Sequence, residues 1–146
     1  MSHSTFHRER VAASFARQGM MQHLGAELRR VEEGVVEIWL PYSDKVTQQQ
    51  DGFHGGAMGA VADIAGGYAG LTVAPEGMEV VTVEYKINFL SSFKGGALRA
   101  IGQVTKPGKR LIITTAEVVH VAADGKESAC ALMQQTLMPV PMTYSP

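Results

Sequence analysis

Nine consecutive residues alternate strictly between apolar and polar side chains. The apolar residues are Val81, Val83, Tyr85, Ile87 and Phe89, and the polar residues between them are Thr82, Glu84, Lys86 and Asn88. A period of two residues is that of a pleated β-strand. The pattern therefore predicts a strand over residues 81–89 that buries its apolar face.

Further β-prone runs lie on both sides of this strand. Residues 24–31 and 35–40 are separated by two glutamates and a glycine, which predicts a hairpin. Three more strands are predicted at residues 97–104, 111–121 and 128–137, because turn signals containing Pro-Gly and Asp-Gly join them. Successive hairpins indicate an antiparallel sheet of six strands.

Two segments have helical patterns. Residues 6–19 place their apolar side chains on one side, which predicts a short amphipathic helix that ends at Gly19. Residues 55–73 are almost wholly small or apolar, which predicts a long helix buried on all sides. Each glycine costs a helix about 1 kcal/mol relative to alanine. The presence of Gly66 and Gly67 therefore indicates a helix backbone that is pressed against another element.

The order of these elements predicts an α+β fold. A short N-terminal helix and two strands precede the long central helix, and four strands follow it. A chain of 146 residues has the usual size of one domain. We expect a single domain over residues 1–146, with its core at about residues 24–138.

Composition narrows the class of protein. Thirteen Lys and Arg against fourteen Asp and Glu give a net charge of -1, which lacks the basic footprint of nucleic-acid binding. Cys130 is the single cysteine, and the first ten residues lack the apolar core of a secretion signal, which predicts a cytoplasmic protein. Residues 52–75 are largely apolar but include Asp63 and seven glycines, so we expect no membrane span.

Asp63 is the candidate for chemistry. It is the one side chain between Asp51 and Glu76 that is fully charged at neutral pH, and it lies inside the predicted buried helix. Burying an unpaired carboxylate is costly and usually raises its pKa, so such a residue has a partner or a task. Two interpretations stay open, namely a hydrogen-bonded structural residue and a catalytic carboxylate.

The start of the same helix is a second candidate. Gly55 and Gly56 follow His54 there, and a helix N-terminus without side chains exposes backbone N–H groups that can hold an oxyanion. His54 and Asp63 are nine residues apart, so they point to opposite sides and lie roughly 13 Å apart along the axis. If both serve one site, two subunits must contribute to it, which predicts an obligate homodimer with two shared sites.

Three short motifs carry a resemblance to a known family. His54-Gly55-Gly56, Ala62-Asp63 and Ala65-Gly66-Gly67 resemble the signature of the phenylacetate-degradation (PaaI-type) branch of hotdog thioesterases, over roughly residues 35–137. The resemblance implies a helix wrapped by an antiparallel sheet, two sheets that join across a dimer, and dimers that pair into a homotetramer. It also implies hydrolysis of an acyl-CoA thioester to a free acid and CoA.

The resemblance implies roles for the candidate catalytic residues. Asp63 matches the carboxylate that activates water or attacks the thioester carbonyl, and the Gly55 N–H matches the oxyanion donor. His54 matches a residue that shapes the helix entrance, with a purely structural role as the alternative. Gln48 stands where the family often has an asparagine that orients the water or the thioester, and a shift of one residue would give this role to Gln49. Thr82 matches a position where a hydroxyl lies close to the carboxylate.

The remaining candidates concern the substrate. Lys109 and Arg110 match basic residues that lie near the CoA phosphates in the family, and Gly56 belongs to the motif at the helix start. We expect the acyl group to be lined by a further set of residues, Met58, Tyr68, Phe89 and Phe93. No run of residues has metal-ligand spacing and no nucleotide-binding glycine loop follows a strand, so we expect no metal and no cofactor.

Three alternatives to hydrolysis remain. A hotdog dehydratase or hydratase would rely on a catalytic His paired with an acidic residue in a different motif. A non-catalytic acyl-CoA binding or sensing protein would keep the pocket and could dispense with the carboxylate. A structural dimer would have little reason to bury Asp63 beside a glycine-rich helix start.

Overall fold

The computed structural model describes residues 2–144. Its helices are α1 (His3–Ala16), α2 (Gly19–Leu24) and α3 (Gly55–Leu71), with a short 3-10 turn at Asp44–Val46. Its strands are β1 (Glu27–Glu32), β2 (Val35–Pro41), β3 (Met78–Phe89), β4 (Ala97–Lys106), β5 (Ile112–Val121) and β6 (Glu127–Pro141). The predicted central helix and all six predicted strands are therefore present.

The six strands form one antiparallel sheet in the order β1-β2-β4-β5-β6-β3. Helix α3 lies across one face of this sheet, where its apolar residues pack with the inward side chains of the strands. Burial of each such Leu, Ile or Val side chain contributes about 1.5–3 kcal/mol. Helix α3 is thereby the centre of the core, as its composition predicts.

Glycines allow the sheet to touch the helix backbone. A Cβ at Gly102 would lie 2.2 Å from the Ala65 carbonyl oxygen, and a Cβ at Gly66 would lie 2.4 Å from the Gln135 Oε1 atom. The predicted close approach is therefore found at Gly66. It is not found at Gly67, where a Cβ would meet no atom within 4 Å.

The N-terminal region differs from the sequence prediction. Helix α1 begins at His3 rather than residue 6, because the Ser2 hydroxyl caps it by accepting a 3.2 Å hydrogen bond from the Thr5 N–H. A separate short helix, α2, follows and ends at Gly25, which has a left-handed φ of 80°. Strand β1 therefore begins at Glu27 and not at residue 24.

Strand β3 corrects the prediction of a buried apolar face. It lies at the sheet edge and pairs only with β6. Its side chains Val81, Val83, Tyr85 and Phe89 are exposed by 42%, 56%, 43% and 52%, respectively. The strand itself is confirmed, but only Ile87 of its five alternating apolar residues packs against the core, and residues 2–144 leave the other four exposed.

Candidate active site

Asp63 lies on α3, where the helix faces β3 and β6. The Thr82 hydroxyl donates a 2.8 Å hydrogen bond to Asp63 Oδ1, and the Gln135 side-chain amide donates to the same oxygen. Burial raises the pKa of Asp63 above its ordinary value, while the bonds from Thr82 and Gln135 act in the opposite direction. The carboxylate is held in place and has no cationic partner among these contacts.

Gln135 and Thr114 were missed by the sequence analysis. Gln135 is 1% exposed, and its Oε1 atom accepts a 2.8 Å hydrogen bond from the fully buried Thr114 hydroxyl. This bond orients the amide so that its NH₂ group faces Asp63. The sequence does contain a signal for Gln135, because it alternates with Met133 and Leu137 on the buried face of β6. A polar residue in an apolar phase needs a buried partner.

A pocket of about 430 Å³ opens beside the carboxylate. It lies between α1, α3 and the start of β3, and it combines polar and apolar walls. The lining residues are Ser14, Arg17, Gln18, Asp63, Ile64, Gly67, Tyr68, Glu79, Val80, Thr82 and Tyr144. The Tyr68 hydroxyl is hydrogen-bonded to Ser14 Oγ at 3.0 Å and to Gln18 Nε2 at 2.9 Å. Tyr68 therefore lines the pocket, with its hydroxyl held by the N-terminal region.

The start of α3 is organised by His54. His54 Nδ1 accepts a 2.7 Å hydrogen bond from the Gly56 N–H, so the imidazole caps the helix. The Gly56 donor is thereby occupied. Among residues 2–144, the Gly55 N–H has no hydrogen-bond partner. The Phe89 ring lies over this point, since a Cβ at Gly55 would be 3.2 Å from Phe89 Cζ.

The three consecutive glutamines at positions 48–50 lie in different environments. Gln48 is half-buried and lies against Gly52, whereas Gln49 and Gln50 are exposed. The Gln48 Oε1 atom accepts a hydrogen bond from the Gln50 N–H. Gln48 is thus the amide that this loop turns inward.

Other predicted substrate residues are scattered in this chain. Met58 is buried in the core cluster, and the Phe93 ring stacks on His120 at 4.4 Å. Lys109 and Arg110 are exposed in the turn between β4 and β5. None of these four residues lines the Asp63 pocket, and neither do Gly55, His54 or Gln48.

Two further observations bear on the class of site. In the described part of the chain, one group of three residues could hold a metal ion, and it consists of His3, His7 and Glu33. These residues do not line the Asp63 pocket.

Within residues 2–144, no helix is both long and apolar enough to cross a membrane.

A central helix wrapped by a six-stranded antiparallel sheet is the hotdog fold, and comparison with known proteins gives the family. The family profile of the thioesterase superfamily matches residues 52–124. The crystal structure of a thioesterase family protein from Silicibacter pomeroyi is 38% identical, covers 93% of this chain and 99% of that chain, and has a TM-score of 0.89.

Two more distant relatives agree with this match. A candidate esterase of Saccharolobus solfataricus is 34% identical over 113 residues, which cover 77% of this chain and 79% of the relative. The PaaI protein of Escherichia coli shares the fold at 23% identity and a TM-score of 0.85, with 99% of this chain and 100% of that chain covered. The chain belongs to the thioesterase superfamily and is a thioester hydrolase by class.

Proposed function

We propose that this protein hydrolyses acyl-CoA thioesters to a free carboxylic acid and CoA. The observation that carries the proposal is the Asp63 carboxylate, which opens onto a pocket and whose pKa is raised by burial. In one route Asp63 takes a proton from the attacking water, the C–S bond breaks, and the thiolate leaves and is protonated. In the other route Asp63 itself attacks the carbonyl, the C–S bond breaks, and the CoA thiolate leaves and is protonated. Water then hydrolyses the acyl-enzyme anhydride and releases the free acid.

The Gly55 N–H is proposed as the donor that stabilises the oxyanion of the thioester carbonyl. It lies at the positive end of α3 and has no hydrogen-bond partner within residues 2–144. His54 supports this donor by capping the helix through its bond to Gly56. Because its Nδ1 atom accepts that bond, His54 is proposed as a positioning residue and not as a general base.

We propose that the site is completed by a second copy of the chain. The Asp63 pocket does not include Gly55, and the eight-residue spacing of the two residues separates them by roughly 12 Å along the axis of α3. A long apolar edge strand such as β3 is suited to pair with the same strand of another copy. Asp63 of one subunit would then face Gly55 of its partner across a two-fold axis.

The remaining residues fit this arrangement in supporting roles. Thr82 holds the carboxylate and can orient a water molecule beside it. Gln48 is proposed to orient the thioester or the water at the partner's carboxylate, because its amide is turned inward. Tyr68 and Phe89 are proposed to border the acyl group, and Lys109 and Arg110 to contact the CoA phosphates. Met58 contributes to the core below the helix start.

Several predictions from the sequence stay predictions here. These are the single domain over residues 1–146, the pairing of dimers into a homotetramer, the cytoplasmic location and the independence of catalysis from any cofactor. The alternative function, non-catalytic binding of acyl-CoA, would use the same pocket. It does not require a carboxylate that opens onto the pocket with its pKa raised by burial.

A free-thiol assay tests the proposed function. Phenylacetyl, benzoyl, short-chain and medium-chain CoA esters are offered to the wild type and to Asp63→Asn. We expect the wild type to release CoA from at least one ester and Asp63→Asn to remain folded while it loses nearly all turnover. Saturable binding of these esters without any thiol release would instead support the binding function, and equal activity of the variant would contradict the role of Asp63.

A further inference from the structure

We propose that His3, His7 and Glu33 form a binding site for a divalent transition-metal ion of the Zn²⁺ class. One nitrogen of each histidine and one carboxylate oxygen of Glu33 lie within 4.8 Å of one another. His7 Nε2 and His3 Nδ1 are 3.1 Å apart, and the two rings meet edge to face. No part of the proposed thioesterase chemistry uses this cluster.

The distances suit a tetrahedral ion. Bonds of about 2.0–2.1 Å place two ligand atoms of a tetrahedral zinc site roughly 3.4 Å apart. The two histidine nitrogens are already at nearly that separation. The Glu33 oxygen lies within 4.8 Å of the histidine nitrogens, so it needs to move by at most about 1.4 Å, which a carboxylate in an exposed turn can do.

The donor set selects among metal classes. Two imidazoles and one carboxylate suit Zn²⁺, Co²⁺ or Ni²⁺, whereas Ca²⁺ and Mg²⁺ prefer sites built wholly from oxygen. Three protein ligands leave a fourth position for water. Glu76 lines the same cleft as the three ligands.

The three proposed ligands come from two parts of the fold, helix α1 and the turn between β1 and β2. His3 and His7 are four residues apart on α1 and therefore share one face of that helix. Glu33 precedes Gly34, whose N–H donates a 2.8 Å hydrogen bond to the Thr72 hydroxyl. Thr72 in turn donates to the Ala69 carbonyl at 2.6 Å. The turn that carries Glu33 is thus fixed to the end of α3.

The His7 ring has little hydrogen bonding with the rest of the protein. His7 is 4% exposed, and its Nδ1 atom has no hydrogen-bond partner in the described part of the chain. The neutral imidazole is the form that binds metal ions. The polar contact of the buried His7 ring is made by Nε2 with a second imidazole, which is an arrangement suited to two neighbouring metal ligands.

An ion at this site would connect α1 to the sheet. Ser14, on the same helix, lines the Asp63 pocket and bonds to Tyr68. His7 and Ser14 are seven residues apart, or about 10 Å along the helix axis. The ion would therefore stabilise one wall of the pocket without contact with the reacting atoms.

Titration of the untagged full chain with Co²⁺, after removal of bound metal by a chelator, tests the site. We expect one Co²⁺ per chain, with the visible absorption bands of a four-coordinate ion. His3→Gln, His7→Gln and Glu33→Gln should each weaken binding by at least about tenfold. His23→Gln and Glu9→Gln are matched controls on exposed residues and should bind as the wild type does.

Thermal unfolding supplies a second readout. Zn²⁺ should raise the Tm of the wild type and of both controls, but not the Tm of His3→Gln. His3 is exposed, so its variant keeps the fold even if His7→Gln does not. Absence of saturable Co²⁺ binding by the wild type would overturn the proposal. Wild-type affinity in His3→Gln would overturn it as well.

Discussion

The Thr82 hydroxyl donates a 2.8 Å hydrogen bond to Asp63 Oδ1, which joins the edge strand β3 to the carboxylate on α3. The two residues are 19 positions apart in the chain. Strand β3 also places Tyr85 beside Gly59 and Phe89 over Gly55. The edge strand therefore runs along α3 from the carboxylate back to the helix start and contacts both Asp63 and Gly55.

Replacement of Thr82 by valine should change the pH dependence of catalysis. The Thr82 hydrogen bond lowers the pKa of Asp63 against the effect of burial, so its removal raises that pKa. Because the proposed chemistry needs Asp63 in its ionised form, the acidic limb of kcat/KM should move to higher pH in Thr82→Val. Thr82→Ser keeps the hydroxyl and should keep the wild-type limb. An unshifted limb in Thr82→Val would show that this bond does not tune the carboxylate.

Gln135 should be needed for both stability and activity. Gln135→Leu removes the amide donor to Asp63 and leaves the buried Thr114 hydroxyl without its acceptor. We expect a loss of about 1–3 kcal/mol in the free energy of unfolding, measured by urea denaturation, together with reduced turnover. Gln134→Leu changes an exposed neighbour on the same strand and serves as the control. A variant at Gln135 as stable and active as this control would contradict the account.

Replacement of the adjacent glycines Gly66 and Gly67 of α3 by alanine should have opposite effects on stability. A Cβ at Gly66 would lie 2.4 Å from Gln135 Oε1 and 2.9 Å from Thr114 Oγ1, so Gly66→Ala must displace the amide that holds Asp63. Gly67→Ala meets no atom within 4 Å and gains helix propensity of up to about 1 kcal/mol. Thermal unfolding should therefore give a lower Tm for Gly66→Ala and an equal or higher Tm for Gly67→Ala. A lower Tm for Gly67→Ala than for Gly66→Ala would contradict this packing.

The apolar edge of β3 should hold two copies together. Val83 is 56% exposed in the single chain, and a charged side chain on an edge strand opposes pairing with another strand. Val83→Glu should shift the protein toward monomers in sedimentation equilibrium and abolish turnover. Met20→Glu adds the same charge at a position that is 58% exposed on α2 and should remain dimeric. A dimeric and fully active Val83→Glu would place the subunit interface elsewhere.

Most of the fold was predictable because its patterns are local. The alternation in β3 and the apolar run of α3 gave both elements directly. The start of α1 was missed because a lone Ser2 cap is a weak signal in sequence, and α2 was missed because six residues carry too little periodicity. The alternation also predicted a buried face that the single chain exposes, since a pattern reports a need for burial and not which chain provides it.

The candidate site was predictable only in part. Asp63 and the helix start were found because their residue types are unusual for a buried helix, and Thr82 was found through the family resemblance. Gln135 lies 72 positions from Asp63 and looks like an ordinary polar residue of a strand. The cluster of His3, His7 and Glu33 was not predicted, because Glu33 meets the two histidines only after the chain folds and because the predicted helix began beyond His3.

A mixed dimer of two inactive variants tests the shared site most directly. Asp63→Asn removes the carboxylate. Gly55→Pro removes the proposed oxyanion donor at the first position of α3, a helix position that tolerates proline. Loss of such a donor costs about 100-fold to 1,000-fold in turnover, so each variant alone should be nearly inactive. The two are co-expressed with different affinity tags, and dimers that carry one of each are purified.

Such a dimer contains one site with both groups intact if Gly55 of one subunit serves Asp63 of the other. Its thiol-release activity should therefore recover to about half of the wild-type value per dimer. If Gly55 and Asp63 of the same chain formed a site, both sites of the mixed dimer would be defective. Activity no higher than that of the two parent variants would then contradict the account.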